Sequence, residues 1–392
     1  MNKILTKIIV TSYDLIPVYT KKNERNILLV FGGVIGDSVL LCSVLRGFKK
    51  LYPDEKGYKI TIYTTAGATT ILKSYTTGFE VRTVDFRRLN TDLTYHLQII
   101  KELQTVNYEV AINPFPAHSN EADTLLIKAR TKRRVQLLPQ NGYKLNLLEK
   151  IINSRIREKA IFISDMFELE RYTQILKYMG LTDFKEVLPV LPQRDLGTPE
   201  LVPKKRYCVL AIGGSTPCKQ WPGERFAQVA NYICNTYSLD VLMTGGPGEE
   251  HIFDGIRPLL RKPEMVHSIV GKTSLVDLVE VIRRAELLVG NDSSSVHIAA
   301  AVNTAAICVV GGWDYGRMYP YKVKRTSKDQ ILPVAISKVM ECYGCAKVAI
   351  GYSNTICKGC VLSQKPYPCI DVITVSDVLE AVDATVKNRI GV

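Results

Sequence analysis

The sequence predicts an α/β fold built as two parallel-sheet domains. Three observations carry that prediction. Short apolar runs alternate with helix-period segments along most of the chain. Most of those runs end in small or polar residues, as strands do where they enter turns. One stretch, EVLPVLPQRDLGTPELVPKKR, carries Pro189, Pro192, Pro199 and Pro203 and divides the alternation into two series. A chain of 392 residues is expected to hold two domains, and 46% hydrophobic with 23% charged residues leaves core enough for both. Two such halves joined by a linker imply two parallel sheets facing across a cleft.

The elements follow in order. Residues 1–25, MNKILTKIIVTSYDLIPVYTKKNER, mix Ile4, Leu5, Ile8, Ile9, Leu15 and Ile16 with Lys3, Lys7, Lys21, Lys22 and Arg25. A basic amphipathic helix of this kind lies either in a membrane interface or on the protein's own surface, and both stay open. The first domain is expected over 26–190. Its strands are NILLVF, YKITIYTT, GFEVRTVDF and YEVAINPFP, and its helices are SVLLCSVLRGFKKLYP, TYHLQIIKELQTVN and DMFELERYTQILKYMGL. Between them KARTKRRVQL holds five basic residues in seven, which reads as a solvated face or as a site near an anionic acceptor or membrane. The second domain is expected over 203–392, with strands near 207–212, 239–244, 266–270, 286–290 and 305–310.

The net charge of +13 is spread over both halves and is heavier in the first. It suits phosphate-bearing ligands or an anionic membrane surface. No RNA- or DNA-binding motif accompanies it, so nucleic acid is not an expected partner. No apolar segment with a cleavage site opens the chain, and no run reaches the roughly 20 apolar residues that span a bilayer. The expectation is a cytoplasmic protein, peripheral on the inner face of the inner membrane if residues 1–25 bind lipid. Of the ten cysteines, Cys42, Cys208, Cys218, Cys234 and Cys308 read as ordinary thiols in apolar or helical contexts.

In parallel α/β folds ligands bind at the carboxyl ends of the strands, so the loops there matter most. The first is VFGGVIGDSVLL. Gly32, Gly33 and Gly36 let the backbone approach a ligand and take positive φ. A dinucleotide fingerprint would need glycine at Val34. Asp37 suits two roles, a helix cap or a general base. The second is IGGSTPCKQWP. Ser215 and Thr216 offer hydroxyls, Lys219 offers a point charge suited to phosphate, and Trp221-Pro222 stiffens the start of the next helix and so the lysine's direction. The third is TGGPGEEH, where Glu249 or Glu250 reads as a ribose acceptor or as a first-turn carboxylate. The fourth is LLVGNDSSSVHIAAAV. Asp292, Ser293, Ser294 and His297 read as an anion-binding helix start, or as a cap and a satisfied core histidine. Two phosphate-friendly helix starts in one domain are the specific signal.

These four loops resemble glycosyltransferase family 9, the ADP-heptose:lipopolysaccharide heptosyltransferases and their relatives. The matching stretches are ILLVFGGVIGDSVLLCSVLRGFKKLYP, GGSTPCKQWPGERFAQVA, LMTGGPGEE and LLVGNDSSSVHIAAAVNT, in family order over roughly residues 26–312. The resemblance implies a GT-B fold, two Rossmann-like domains with the active site between them. It implies inverting, metal-independent transfer from a nucleotide-diphosphate sugar to a lipid-linked or oligosaccharide acceptor such as lipopolysaccharide, with no cofactor required. By the resemblance Asp37 is the general base and Lys219 neutralises the diphosphate leaving group. Ser215 and Thr216 fall at the phosphate loop, Glu249 at the ribose, and Lys272 and Thr273 of GKTSL near the nucleobase. Asp292, Ser293, Ser294 and His297 hold the donor sugar and phosphates. Two departures stand out: FGGVIGD lacks the Arg and Ser that often precede Gly-Asp, and Ser293-Ser294 replaces Thr-Gly.

Within 342–369, Cys342-x-x-Cys345 and Cys357-x-x-Cys360 have the spacing of a structural zinc site, with Cys369 beyond them. Free thiols under a loop, or disulfides formed on handling, are the other readings. Two other functions remain open, a non-catalytic nucleotide-binding protein of this fold and a sugar-nucleotide epimerase. The presence of both Asp37 and Lys219 argues against an inactive copy.

Overall fold

The computed structural model describes residues 25–117, 119–142, 145–163, 165–194, 199–325, 327–340, 343–344 and 367–390. The chain splits into two compact units, residues 1–186 and 187–392.

Among the described residues the first unit carries a six-stranded parallel sheet. Its strands are β1 (Asn26–Phe31), β2 (Lys59–Thr64), β3 (Phe79–Thr83), β4 (Val110–Asn113), β5 (Arg133–Pro139) and β6 (Glu158–Phe162), in the order β3-β2-β1-β4-β5-β6. β1 is central, and Ile27 to Phe31 are fully buried, which is why it reads as an unbroken apolar run. β5 emerges from the basic segment, whose charges are mostly tied down. Lys128 is buried, Arg133 pairs with Glu158 at 2.8 and 3.1 Å, and Arg134 donates to the carbonyls of Leu126, Ile127 and Ala129 at a helix C-terminus. Only Lys132 and Arg133 of this run are exposed. Helix α1 (Ile35–Leu51) follows β1, burying Val39, Leu40, Val44 and Phe48, and stops short of Pro53.

The second unit carries β7 (Tyr207–Ala211), β8 (Asp240–Thr244), β9 (Val266–Ser268), β10 (Leu288–Asn291), β11 (Ala306–Val309) and β12 (Val334–Ile336), again all parallel, in the order β12-β11-β10-β7-β8-β9. Read from the β9 edge this is the order of the first sheet. Both are therefore doubly wound, and the winding reverses between β1 and β4 and between β7 and β10. At such a reversal the loops leaving the strands part and open a crevice for ligands. The helices that matter for the site are α2 (Gly223–Thr236) after β7, α3 (Glu250–Ile256) after β8 and α4 (Ser294–Ala301) after β10. The core beneath them includes Trp221, Phe226, Ile233, Val289 and Ile307. Val378, Val382 and Val386 of the C-terminal helix pack into it at four-residue spacing. Among the described residues no helix is long and apolar enough to cross a membrane.

Candidate functional site

The site of the second unit is built on Asn291, the last residue of β10, which is fully buried. Its Nδ2 donates to the carbonyls of Ile212 at 2.9 Å and Gly213 at 3.1 Å. Its Oδ1 accepts from the Trp221 backbone N–H at 2.9 Å. One side chain thus stitches the loop after β7 to the end of β10, across the winding reversal. Trp221 is anchored again by its indole N–H, which donates to the Ile373 carbonyl at 2.9 Å, and by edge-on packing against Phe226 at 5.1 Å. Pro217–Lys219 forms a single 3-10 turn between these anchors. The stiff Trp-Pro pair therefore directs Lys219.

The Lys219 ammonium lies between two carboxylates. Asp292 Oδ2 is 3.2 Å away, and Asp314 Oδ2 accepts a short hydrogen bond from Nζ. The other Asp314 oxygen, Oδ1, accepts from Arg317 Nε at 3.0 Å and is 2.8 Å from its terminal nitrogen. All three partners of the lysine cluster are buried. Burial disfavours the ammonium, but Asp292 and Asp314 outweigh it and hold the Lys219 pKa above its usual range. Burial likewise pushes the two carboxyls up. For Asp314 the Lys219 and Arg317 cations win and hold it below the carboxylate range. For Asp292 burial, reinforced by the Asp314 charge, wins over Lys219 and raises it to about 7. The Asp292–Asp314 pair can therefore take up one proton, with Asp292 pushed towards the neutral form and Asp314 towards the charged one.

Beside this cluster His297 is buried among tyrosines. Its Nδ1 is 2.6 Å from the Tyr321 hydroxyl, Nε2 is 3.5 Å from the Tyr319 hydroxyl, and its ring stacks on Tyr319 at 5.4 Å. Burial pushes its pKa down to about 3, so the ring is neutral at physiological pH. Ser293 is the N-cap of α4, but its side chain makes no capping bond, and its Oγ is buried with no partner among the described residues. Ser294 opens the same helix and is half-buried.

Glu249 bridges two glycine loops. Its carboxylate accepts from the Gly214 N–H at 2.9 Å and the Gly246 N–H at 2.5 Å, tying the turn after β7 to the turn after β8. A Cβ on Gly213 would lie 1.9 Å from Glu249 Oε2, so a larger residue there must displace the carboxylate. Ser215 is exposed and Thr216 half-buried, with their hydroxyls 3.5 Å apart at the start of the 3-10 turn. Lys272 is exposed and donates to the Ser268 carbonyl at 3.1 Å, and Thr273 is half-buried beside it. The structure thus gathers Lys219, Asp292 and, through Asp314, Arg317 into one charged cluster, and places Glu249 across the neighbouring loops.

In the first unit Asp37 is buried at the third position of α1, not at its cap. The helix opens at Ile35, and the Val34 N–H donates back to Asp37 Oδ2 at 3.0 Å. None of Gly32, Gly33 and Gly36 has a positive φ. Gly33 is needed for close approach, since a Cβ there would meet the Phe31 ring at 2.4 Å and the Asp37 Cβ at 2.7 Å. At the end of β4, Asn113 is buried. Its Oδ1 accepts from the Phe115 N–H at 3.0 Å, and its Nδ2 has no partner among the described residues.

Cys342, Cys345, Cys357 and Cys360, the candidate zinc ligands, lie outside the described residues, as do residues 1–24. Among the described residues no group of three or more His, Cys, Asp or Glu could hold a metal ion. Cys208, Cys218, Cys234 and Cys308 are buried free thiols and Cys42 is half-buried.

Sequence reasoning missed Asn291, Asp314, Arg317, Tyr319 and Tyr321. The last four lie in GGWDYGRMYPY, which leaves β11 by the same strand-to-small-residue pattern as the other loops. A buried strand running into a charged and aromatic stretch was the available signal. Asn291 was hidden beside Asp292, because an asparagine that ends a strand has no motif of its own.

The family model described as glycosyltransferase family 9 (heptosyltransferase) matches residues 97–343. Lipopolysaccharide heptosyltransferase 3 of Escherichia coli strain K12 is 26% identical over 230 residues, 56% of this chain and 63% of that protein. The chain spans between 28% and 63% of the lengths of the curated relatives it matches. A solved glycosyl transferase of family 9 from Veillonella parvula DSM 2008 superposes with a TM-score of 0.72 at 16% identity, covering 95% of this chain and all of that one. The E. coli heptosyltransferase WaaC with ADP-2-deoxy-2-fluoro heptose superposes with a TM-score of 0.61 at 14% identity, covering 92% and 99%. At such identities the likeness shows the fold, which is GT-B.

Proposed function

The chain belongs to glycosyltransferase family 9, and from that premise we propose that it moves a heptose or related sugar from an ADP-linked donor to a lipopolysaccharide or other bacterial surface-glycan acceptor. The observation that carries the proposal is Lys219, a fixed cation at the carboxyl ends of β7 and β10, set between two strand-to-helix loops. The E. coli heptosyltransferase of the same fold, with its ADP-2-deoxy-2-fluoro heptose, supports the choice of donor.

In this reading the acceptor hydroxyl attacks the anomeric carbon and the bond from that carbon to the diphosphate oxygen breaks with inversion. The nucleoside diphosphate leaves with the bonding electrons, and the acceptor proton passes to Asp37. Charge grows on the leaving diphosphate as the bond breaks. Lys219 and the amide-rich start of α4 meet that charge, a preorganised electrostatic role that needs no metal ion. Ser293 Oγ, buried and with no partner among the described residues, supplies a donor to the same group. Glu249, at the edge of the glycine loops, is placed to receive the ribose, with Lys272 and Thr273 at the base, and Ser215 and Thr216 beside the phosphates. Asp292 and His297 line the sugar side. Gly32, Gly33 and Gly36 form the acceptor-side loop. The acceptor is lipid-linked, consistent with a net charge of +13, and the enzyme works at the cytoplasmic face of the inner membrane.

Thermal denaturation with ADP, UDP, GDP, CMP and NAD tests the donor side, because a ligand that binds only the native state stabilises by RT ln(1 + [L]/Kd). A selective rise with ADP is the expected result. A rise with another nucleoside diphosphate would keep the transferase and change the donor. No rise with any of them would remove the donor-site assignment.

A further inference from the structure

The charge balance at Lys219 raises a problem that the proposed reaction does not answer. The ammonium that must meet a diphosphate is already engaged by two carboxylates in the free protein. A buried carboxylate that simply lost its cation to an incoming ligand would be left uncompensated, which is costly. Asp314 avoids this through its geometry. One of its oxygens faces Lys219 and the other is held by the Arg317 guanidinium, three residues on. The turn that carries both residues is closed on itself, with the Asp314 carbonyl accepting from the N–H groups of Arg317 at 3.1 Å and Met318 at 2.8 Å. The carboxylate cannot follow the lysine, and it does not need to.

We infer that Asp314, backed by Arg317, is the positioning counter-ion of Lys219: it holds the ammonium at the head of the site and yields it to an incoming diphosphate while Arg317 keeps the carboxylate compensated. Asp292, the second carboxylate on the ammonium, can neutralise itself by taking a proton, and its raised pKa agrees with that division of labour. Asp314 and Arg317 touch no reacting atom in this scheme and act through Lys219. The identity of the incoming anion rests on the transferase reading, whereas the clamp itself does not.

Trace acetylation of Lys219 with acetic anhydride, followed by mass spectrometry across pH on the full chain, tests the clamp without any substrate. Only the free amine reacts. Asp314→Asn removes a carboxylate, so labelling at a fixed pH below the lysine's titration speeds up by about tenfold. Asp314→Glu restores the slow rate. Arg317→Gln removes the cation that competes for Asp314 and slows labelling below wild type. Loosened packing would instead speed labelling in Arg317→Gln as well. A rate unchanged in Asp314→Asn overturns the inference; should that variant not fold, as judged by near-ultraviolet dichroism, an Arg317→Gln rate equal to or above wild type does the same.

ADP titrations and donor kinetics separate the two readings. With the competing carboxylate gone, Asp314→Asn binds ADP several-fold tighter and turns over more slowly, whereas a merely structural residue would weaken both. If wild type binds no nucleoside diphosphate but the labelling rates change as stated, the clamp stands and the transferase reading falls. If ADP binds and the labelling rates do not change, the reverse holds.

Discussion

The loops that follow β1 and β7 occupy the same place in two sheets of the same strand order, yet they are held in opposite ways. Both leave a buried central strand through Gly-Gly and enter a helix. In the first, Asp37 accepts from a backbone N–H three residues back, at the start of its own helix. In the second, Lys219 depends on Asp314, 95 residues away, and its loop depends on Asn291, 70 residues from Trp221. The strands paired across each winding reversal differ likewise. Asn113 of β4 spends its oxygen on its own turn, while Asn291 of β10 ties three backbone groups of another loop.

The largest expected effects set those two cases against each other. Asp37→Asn keeps an oxygen for the Val34 N–H. It should leave stability within about 1 kcal/mol, yet slow transfer by about 10²–10⁴-fold if Asp37 is the base. Lys219→Ala should slow transfer by about 10²–10³-fold and also cost about 1–3 kcal/mol, because two buried carboxylates lose a charged hydrogen-bond donor while Arg317 still compensates Asp314. Denaturant melts beside steady-state assays decide the matter. Equal stability losses in the two variants would erase the contrast between local and distant support.

Next in size is the asparagine pair. Asn291→Ala orphans the Trp221 N–H and the carbonyls of Ile212 and Gly213, and at roughly 1–3 kcal/mol for each buried group left unmade the total should exceed 3 kcal/mol. Asn113→Ala orphans one N–H and should cost about 1 kcal/mol. Urea midpoints at unchanged slope measure both, and a larger loss at Asn113 would break the comparison.

The same division explains what could be read from the sequence. β1, β7, β8 and β10 were legible as apolar runs because central strands of a parallel sheet are buried on both faces. β5 was not, because its opening residues, Arg133 and Arg134, spend their charges on Glu158 and on a helix end, and so read as a surface run. Lys219 was legible because a lysine just before Trp-Pro and a helix is a pattern visible in the sequence, although what holds it lies far along the chain. Asp314 and Arg317 were not, because their roles exist only once β11 and β7 lie in one sheet. Asp37 was legible as a residue of interest, though its helix begins two residues before it and makes it a first-turn residue.

A glycine pair of the second unit gives a smaller effect. Gly213→Ala puts a Cβ 1.9 Å from Glu249 Oε2, and Glu249 cannot swing away without losing the amides of Gly214 and Gly246. The expected cost is about 1–3 kcal/mol, with a raised KM for the nucleotide. Gly255→Ala, on α3 with open space around the new carbon, should instead stabilise by up to about 1 kcal/mol. Thermal melts of the two variants should therefore move in opposite directions.

The smallest effect is a matter of pH and concerns His297 and Asp292, neighbours in the cluster with opposite signs. An unfolded histidine titrates near pH 6.5, and burial holds His297 at about 3. Between those values the unfolded chain takes up a proton that the native site refuses, so stability falls as pH falls. Asp292 is the reverse: its native pKa of about 7 lies above that of the unfolded carboxyl, so the native state takes up the proton and stability rises as pH falls from 7 towards 4. Over pH 6.5 to 5.5 each contributes about 1 kcal/mol, and the two offset one another. His297→Gln, which can still hydrogen-bond the Tyr321 hydroxyl, removes one arm. Its unfolding free energy relative to wild type should rise by about 1 kcal/mol across that unit of pH, and that of Asp292→Asn should fall by about as much. Parallel curves for His297→Gln and wild type would mean that the imidazole titrates alike in the native and unfolded chains. Its burial against Tyr319 and Tyr321 would then carry no electrostatic consequence.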